Sequence, residues 1–107
     1  MNKLEELDKL EIYLEAKGYD IQRVDTDAVY DDLRCLIIGQ HQIFVYRGDR
    51  VDWSVICHWG SYGYEDGLLE VYGSICSLID PERAGSVVGW LTADDIIRAL
   101  EAQRGKN

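Results

Sequence analysis

Apolar residues first recur with a helical period: Leu4, Leu7, Leu10 and Leu14 fall on one stripe, with charged residues between them. Asn2 followed by Glu5 has the spacing of a capping box, and Gly18 stands where a left-handed residue ends a helix. The pattern predicts a first helix over about residues 3–17. Residues 19–24 then read as a short strand, and residues 25–33, DTDAVYDDL, as a polar connection carrying four aspartates. The compact run CLII within residues 34–38 fits a buried strand.

The middle of the chain reads as a hairpin. Residues 42–47 and 51–58 are rich in β-formers, and Gly48-Asp49-Arg50 between them is a short loop whose glycine supplies positive φ. Alternation puts Val51, Trp53, Val55 and Cys57 on one face of the second strand and Asp52, Ser54, Ile56 and His58 on the other. The glycine-rich stretch GSYGYEDG, residues 60–67, follows as a tight strand-to-helix turn with tyrosines over it. Leu68, Leu69, Tyr72, Ile75, Cys76 and Ile79 then fall at helical spacing, predicting a second helix ended by Asp80-Pro81. Gly73 inside it costs about 1 kcal/mol relative to alanine, which a close packing contact would explain. Residues 86–91 form a short extended segment. Thr92 caps a last helix with Asp95 as the capping-box acid, Leu91 and Ile96 take the staple positions, and Ile96, Ile97 and Leu100 form the buried stripe. The expected fold class is α+β: a small, mostly antiparallel sheet of about four strands with three helices, the N- and C-terminal ones flanking it.

At 107 residues the chain is one domain, and 47% apolar residues with a single proline exclude disorder. Three cysteines outside any CxxC spacing, Cys35, Cys57 and Cys76, read as buried thiols, and with no signal-like or membrane-spanning apolar run the expected location is cytosolic. Twenty acids against eleven bases give a net charge of −9, and residues 1–32 hold ten of those acids against four bases. Direct nucleic-acid contact needs a basic face and is disfavoured. A protein partner with a basic surface, such as a nuclease, is favoured, beside the plainer alternative that the charge serves solubility.

Catalytic and metal readings find little support. Cys57 and His58 pair the right residue types for nucleophilic catalysis, but strand neighbours point apart, so Cys57 reads as core. His58 ends a strand beside a loop, as a site residue or as a ring bonded to a loop carbonyl. The glycine loop occupies the position of a phosphate cradle, but it lacks a basic residue, and Glu65 and Asp66 would repel an anion while complementing a helix dipole. Asp66 and Glu70 share a helix face as a carboxylate pair or a solvated surface, no paired metal-ligand spacing exists, and no cofactor is implied. Arg47-Gly48-Asp49 is a hairpin turn. The aromatic set, Trp53, Trp59, Trp90, Tyr62, Tyr64 and Tyr72, is large for the length. Its loop members Trp59, Tyr62 and Tyr64, beside Glu65 and Asp66, suit a protein-binding patch or a loop pinned by its own rings.

The stretch HQIFVYRGDRVDWSVICHWGSYGYEDGLLEVYG, with GSVVGWLTADDIIRAL further on, resembles small uncharacterised proteins of Gram-positive bacteria carried by phages and mobile elements. The likeness covers about residues 41–100 and brings no catalytic residue with it. It implies the setting of anti-CRISPR and anti-restriction inhibitors. The leading expectation is thus an acidic inhibitor that presents carboxylates in place of phosphates, with Asp25, Asp27, Asp31, Asp32 and the acids of the first helix as its partner-binding residues. A small-ligand or nucleotide module using residues 58–67 comes second. An enzyme built on Cys57, His58 or the acids of 65–70 comes last, because no constellation is complete.

Overall fold

The computed structural model describes residues 3–26, 29–30, 33, 36–37, 40–58, 61–83 and 87–105. Helix α1 (Glu5–Ala16) leads into β1 (Asp20–Thr26), β2 (Val29–Tyr30), β3 (Leu36–Ile37), β4 (Gln40–Arg47), β5 (Arg50–Ile56) and β6 (Leu69–Gly73). Helix α2 (Cys76–Ile79), strand β7 (Val88–Leu91) and helix α3 (Ala93–Arg104) complete the order. Five strands pair antiparallel in the order β1-β4-β5-β6-β7, while β2 and β3 form a separate two-stranded ribbon. The α+β expectation holds, with five strands in the main sheet instead of about four.

Local chemistry explains the helix ends. Gly18 takes φ +82°, so its N–H reaches the Glu15 carbonyl at 3.1 Å and the Tyr19 N–H reaches that of Leu14 at 3.0 Å, a Schellman stop. At α3 the capping box is complete: Asp95 N–H donates to Thr92 Oγ1 at 3.1 Å and Thr92 N–H to Asp95 Oδ2 at 2.9 Å. The staple residues Leu91 and Ile96 are both buried. Another donor at this helix end, Ala93 N–H, is met by Glu6 of α1 at 2.7 Å, which ties the two long helices together. The start of α1 differs from expectation: its cap is Leu4, with no side-chain bond, and Asn2 lies outside the described residues.

Period-two alternation sets the core. Arg23, Ile43, Val55 and Val71 are successive partners across β1, β4, β5 and β6. Ile43, Val45, Trp53, Val55, Cys57, Leu69 and Val71 are buried in one cluster with Leu7, Leu10 and Leu14 of α1 and Ile96 and Leu100 of α3. Ser54, Ile56 and Glu70 alternate with these residues and lie buried outside that cluster. No helix among the described residues is long and apolar enough to cross a membrane.

The expected helix over residues 68–79 is a correction. Residues Leu69–Gly73 are a strand paired with β5, and only Cys76–Ile79 are helical. The run is ambiguous because Leu69 fits both the helical stripe with Tyr72 and Cys76 and a strand alternation with Val71, and ladder pairing decides the contest. Gly73 carries the reason: at φ +96° it ends the strand against Trp53. The expected close contact is real, but it is made from a strand. The glycine loop therefore joins two strands, with a single 3₁₀ turn at Tyr64–Asp66, and no helix follows for Glu65 and Asp66 to complement. The loop between β4 and β5 is also shorter than expected, because Arg50 already pairs with Arg47.

Two glycines with the same backbone sign should therefore respond differently. A side chain at Gly48 (φ +67°) meets nothing within 4 Å, whereas at Gly73 its Cβ would lie 2.6 Å from the Asp52 carbonyl oxygen and 2.9 Å from Trp53 Cα. Gly48→Ala should cost about 1 kcal/mol in urea denaturation, and Gly73→Ala about 3 kcal/mol or more. Equal losses would contradict the strand assignment at Gly73.

Candidate protein-binding site

The pairing of β6 with β7 contains an extra residue. Leu69 faces Leu91 and Val71 faces Val88, so two steps on β6 match three on β7. Val88 and Leu91 both point into the core, and the surplus is taken up at Gly89 and Trp90. Trp90 adopts φ +55°, the one described non-glycine residue at positive φ. For a bulky residue this costs about 1–3 kcal/mol. It is also 58% exposed, so burial does not repay the strain.

The loop after β5 folds onto this bulge. Ser61 N–H and its hydroxyl both donate to the His58 carbonyl, at 2.8 and 2.7 Å, which turns the chain back. The Tyr62 ring then stacks on the Trp90 indole, with centroids 5.0 Å apart and planes 22° apart. Both partners at the contact need a missing side chain. A Cβ on Gly89 would stand 2.5 Å from Tyr62 Cβ, and one on Gly63 would meet Leu68 Cβ at 2.8 Å and the Trp90 backbone at 3.1 Å. Glu70, 3% exposed on β6, fastens the loop by accepting from Tyr62 N–H at 2.9 Å and from the Tyr72 hydroxyl. Burial, followed by this carboxylate, pushes the Tyr72 phenol up to about 12.

Residues 61–66 and Trp90 line a surface cavity of about 290 Å³. Tyr62 and Trp90 are exposed, as are Glu65 and Asp66. Tyr64 is half-buried against the core, and its ring carries the Lys3 ammonium at 5.3 Å, while Lys3 Nζ donates to the Glu65 carbonyl at 2.6 Å. The stack itself is worth about 0.5–1.5 kcal/mol, no more than the strain at Trp90. The arrangement therefore gives the fold little net stability while holding two rings and two carboxylates at the surface.

The structure divides the acids expected to bind a partner. Asp25 is engaged within the molecule: Arg23, with a largely covered side chain, holds Asp8 at 2.7 Å, Glu11 at 2.9 Å and Asp25 at 3.0 Å, and His41 Nδ1 lies 2.8 Å from Asp25. Burial pushes the Asp25 carboxyl up, but the His41 hydrogen bond and the Arg23 charge outweigh it and hold it below the usual range. Asp27, Asp31 and Asp32 lie outside the described residues, as do Trp59, Gly60 and Cys35. Asp66 and Glu70 do not share a helix face: one is in the 3₁₀ turn and the other is buried in β6. Trp90, Gly89 and Glu70 carry the site and were not singled out for it by the sequence. The available signal was a glycine followed by tryptophan inside a four-residue strand.

His58 and Cys57 do not form a catalytic pair. Cys57 is fully buried in the core, and burial pushes its thiol up to about 11 despite Lys3 and Arg23. Burial lowers the His58 pKa, with a hydrogen bond to the His41 backbone and the Glu70 charge only partly opposing it, and its buried Nδ1 has no hydrogen-bond partner among the described residues. Among the described residues no group of three His, Cys, Asp or Glu could hold a metal.

No protein-family model, curated protein or solved structure matches the chain.

The thiols supply a direct check. Cys57 and Cys76 are both buried, and burial raises both pKa values, so neither should react with a disulfide reagent at pH 8 unless urea is present. Because the folded Cys57 pKa lies above its unfolded value, its stabilising effect is complete below about pH 9 and is lost as the pH rises toward about 11. Rapid native labelling of Cys57, located by mass spectrometry, would contradict its place in the core.

Proposed function

We propose that the protein is an acidic protein-binding module that docks on a basic surface of a nucleic-acid-handling enzyme and inhibits it. The observation that carries this reading is the exposed Tyr62–Trp90 stack, held in a strained bulge beside the carboxylates of Glu65 and Asp66. Strain kept at an exposed aromatic without a stability return points to use of the ring. Tryptophan and tyrosine at the centre of a polar rim are the usual source of interface energy. The net charge of −9 sets the sign of the partner and steers its approach. The resemblance to proteins of phages and mobile elements supports a host-defence nuclease as the target class.

Asp25 belongs to an intramolecular ion-pair network around Arg23, which supports centring the proposed binding face on residues 61–66 and Trp90. The cavity itself favours a second reading, a small-ligand module. A nucleotide fits it poorly, because its phosphates would meet Glu65 and Asp66.

The test is inhibition of DNA cleavage across a panel of Cas and restriction nucleases. Inhibition should be present at about 50 mM salt and fall about tenfold or more by about 200 mM. Tyr62→Ala with Trp90→Ala should abolish it without unfolding the protein. No affinity for any member at low salt counts against the nuclease target. A thermal shift with a neutral or cationic small molecule, about 2.7 kcal/mol at 100 times its Kd, would support the ligand reading instead.

A further inference from the structure

We propose that the cavity between residues 61–66 and Trp90 is a guanidinium site that takes an arginine side chain of the protein partner. This inference rests on the protein-binding reading and names what the site recognises.

Three features of the cavity converge on that chemistry. Its aromatic side is the stack of Tyr62 on Trp90, whose exposed ring surface attracts a cation and accepts a planar group lying flat against it. Its rim carries the Glu65 and Asp66 carboxylates, and among the described residues neither is in an ion pair. Its neighbourhood already holds one cation of the chain's own, since the Lys3 ammonium lies over Tyr64 and donates to the Glu65 backbone oxygen. The loop is thus an aromatic and acidic environment that accommodates positive charge on one side and offers a second, unfilled place on the other.

Arginine fits that second place better than lysine. A guanidinium is planar and weakly hydrated, so it can stack on the indole while its in-plane N–H groups reach carboxylates at the edge. An ammonium is compact and strongly hydrated and gains less from a ring face. The same rim excludes phosphate, sulfate and the carboxylate end of a peptide. The fixed geometry also favours a rigid recognition element: the Gly63 and Gly89 contacts and the Glu70 bonds hold Tyr62 in place before any partner arrives.

The test uses the 107-residue chain and two capped, fluorescently labelled probes, hexa-arginine and hexa-lysine, titrated by anisotropy at about 50 mM salt. Hexa-arginine should bind about tenfold tighter than hexa-lysine. Trp90→Ala should erase that preference, and Trp90→Phe should retain part of it, which separates loss of the ring from any loss of folding seen by circular dichroism. Glu65→Gln with Asp66→Asn should weaken the arginine probe about tenfold, while Glu15→Gln with Asp20→Asn, equal in charge and elsewhere, should change it less than about twofold. If both probes bind equally and Trp90→Ala has no effect, the arginine site is wrong while the general acidic binding reading survives. If neither probe binds, both fail. If free arginine competes as well as the peptide, the site serves a small molecule and the partner assignment is overturned.

Discussion

Tyr62 can lie against β7 only because residue 89 has no side chain. Any Cβ there would stand 2.5 Å from Tyr62 Cβ, well inside contact distance. From this approach the rest of the site follows. The ring meets Trp90 across the bulge, the bulge holds Trp90 at positive φ, and the Glu70 carboxylate beneath the loop satisfies the Tyr62 amide. Each part is imposed by a neighbour. The packed core fixes Val88 and Leu91 inward, the extra residue between them has to bulge, and the bulge delivers an indole to the surface.

The distribution of charge sharpens the functional reading. Many carboxylates that dominate the composition are engaged within the molecule. Asp8, Glu11 and Asp25 surround Arg23, Glu6 caps α3, Asp94 pairs with Lys9, and Glu101 accepts from the Tyr13 hydroxyl at 2.5 Å and lies 3.6 Å from Lys17. Exposed pairs of this kind contribute little stability each, but they remove acids from the supply available to a partner. Glu65 and Asp66 stay outside these networks and border a strained, exposed aromatic pair. An overall negative charge attracts many basic surfaces. A rigid ring beside two carboxylates discriminates among them.

Much of the fold was legible in the sequence because its signals were local. The leucine stripe of α1, the Gly18 stop, the β4–β5 hairpin and the Thr92–Asp95 cap each depend on residues a few positions apart. Residues 68–79 carry a helical stripe from Leu68 to Ile79 and, across Leu69 and Val71, a strand alternation as well, and only pairing with β5 decides between them. The site was half legible. Tyr62, Tyr64, Glu65 and Asp66 stood out as aromatics beside acids in a glycine loop. Trp90 and Gly89 did not, because their role comes from a loop about 27 residues earlier folding back across β7, and no short-range pattern records that contact. Asp25 shows the reverse: its place in a run of aspartates suggests an open acidic face, while Arg23 on the same strand pairs with it and His41 on β4 lies within hydrogen-bond distance of it.

The most direct test of the account is a nuclear Overhauser spectrum of the wild-type protein and of Gly89→Ala. The account predicts cross-peaks between the Tyr62 ring and Trp90 indole protons in the wild type, and their loss in the variant while β4–β5 cross-strand contacts persist. A wild-type spectrum with that sheet intact and no contact between the two rings would contradict it.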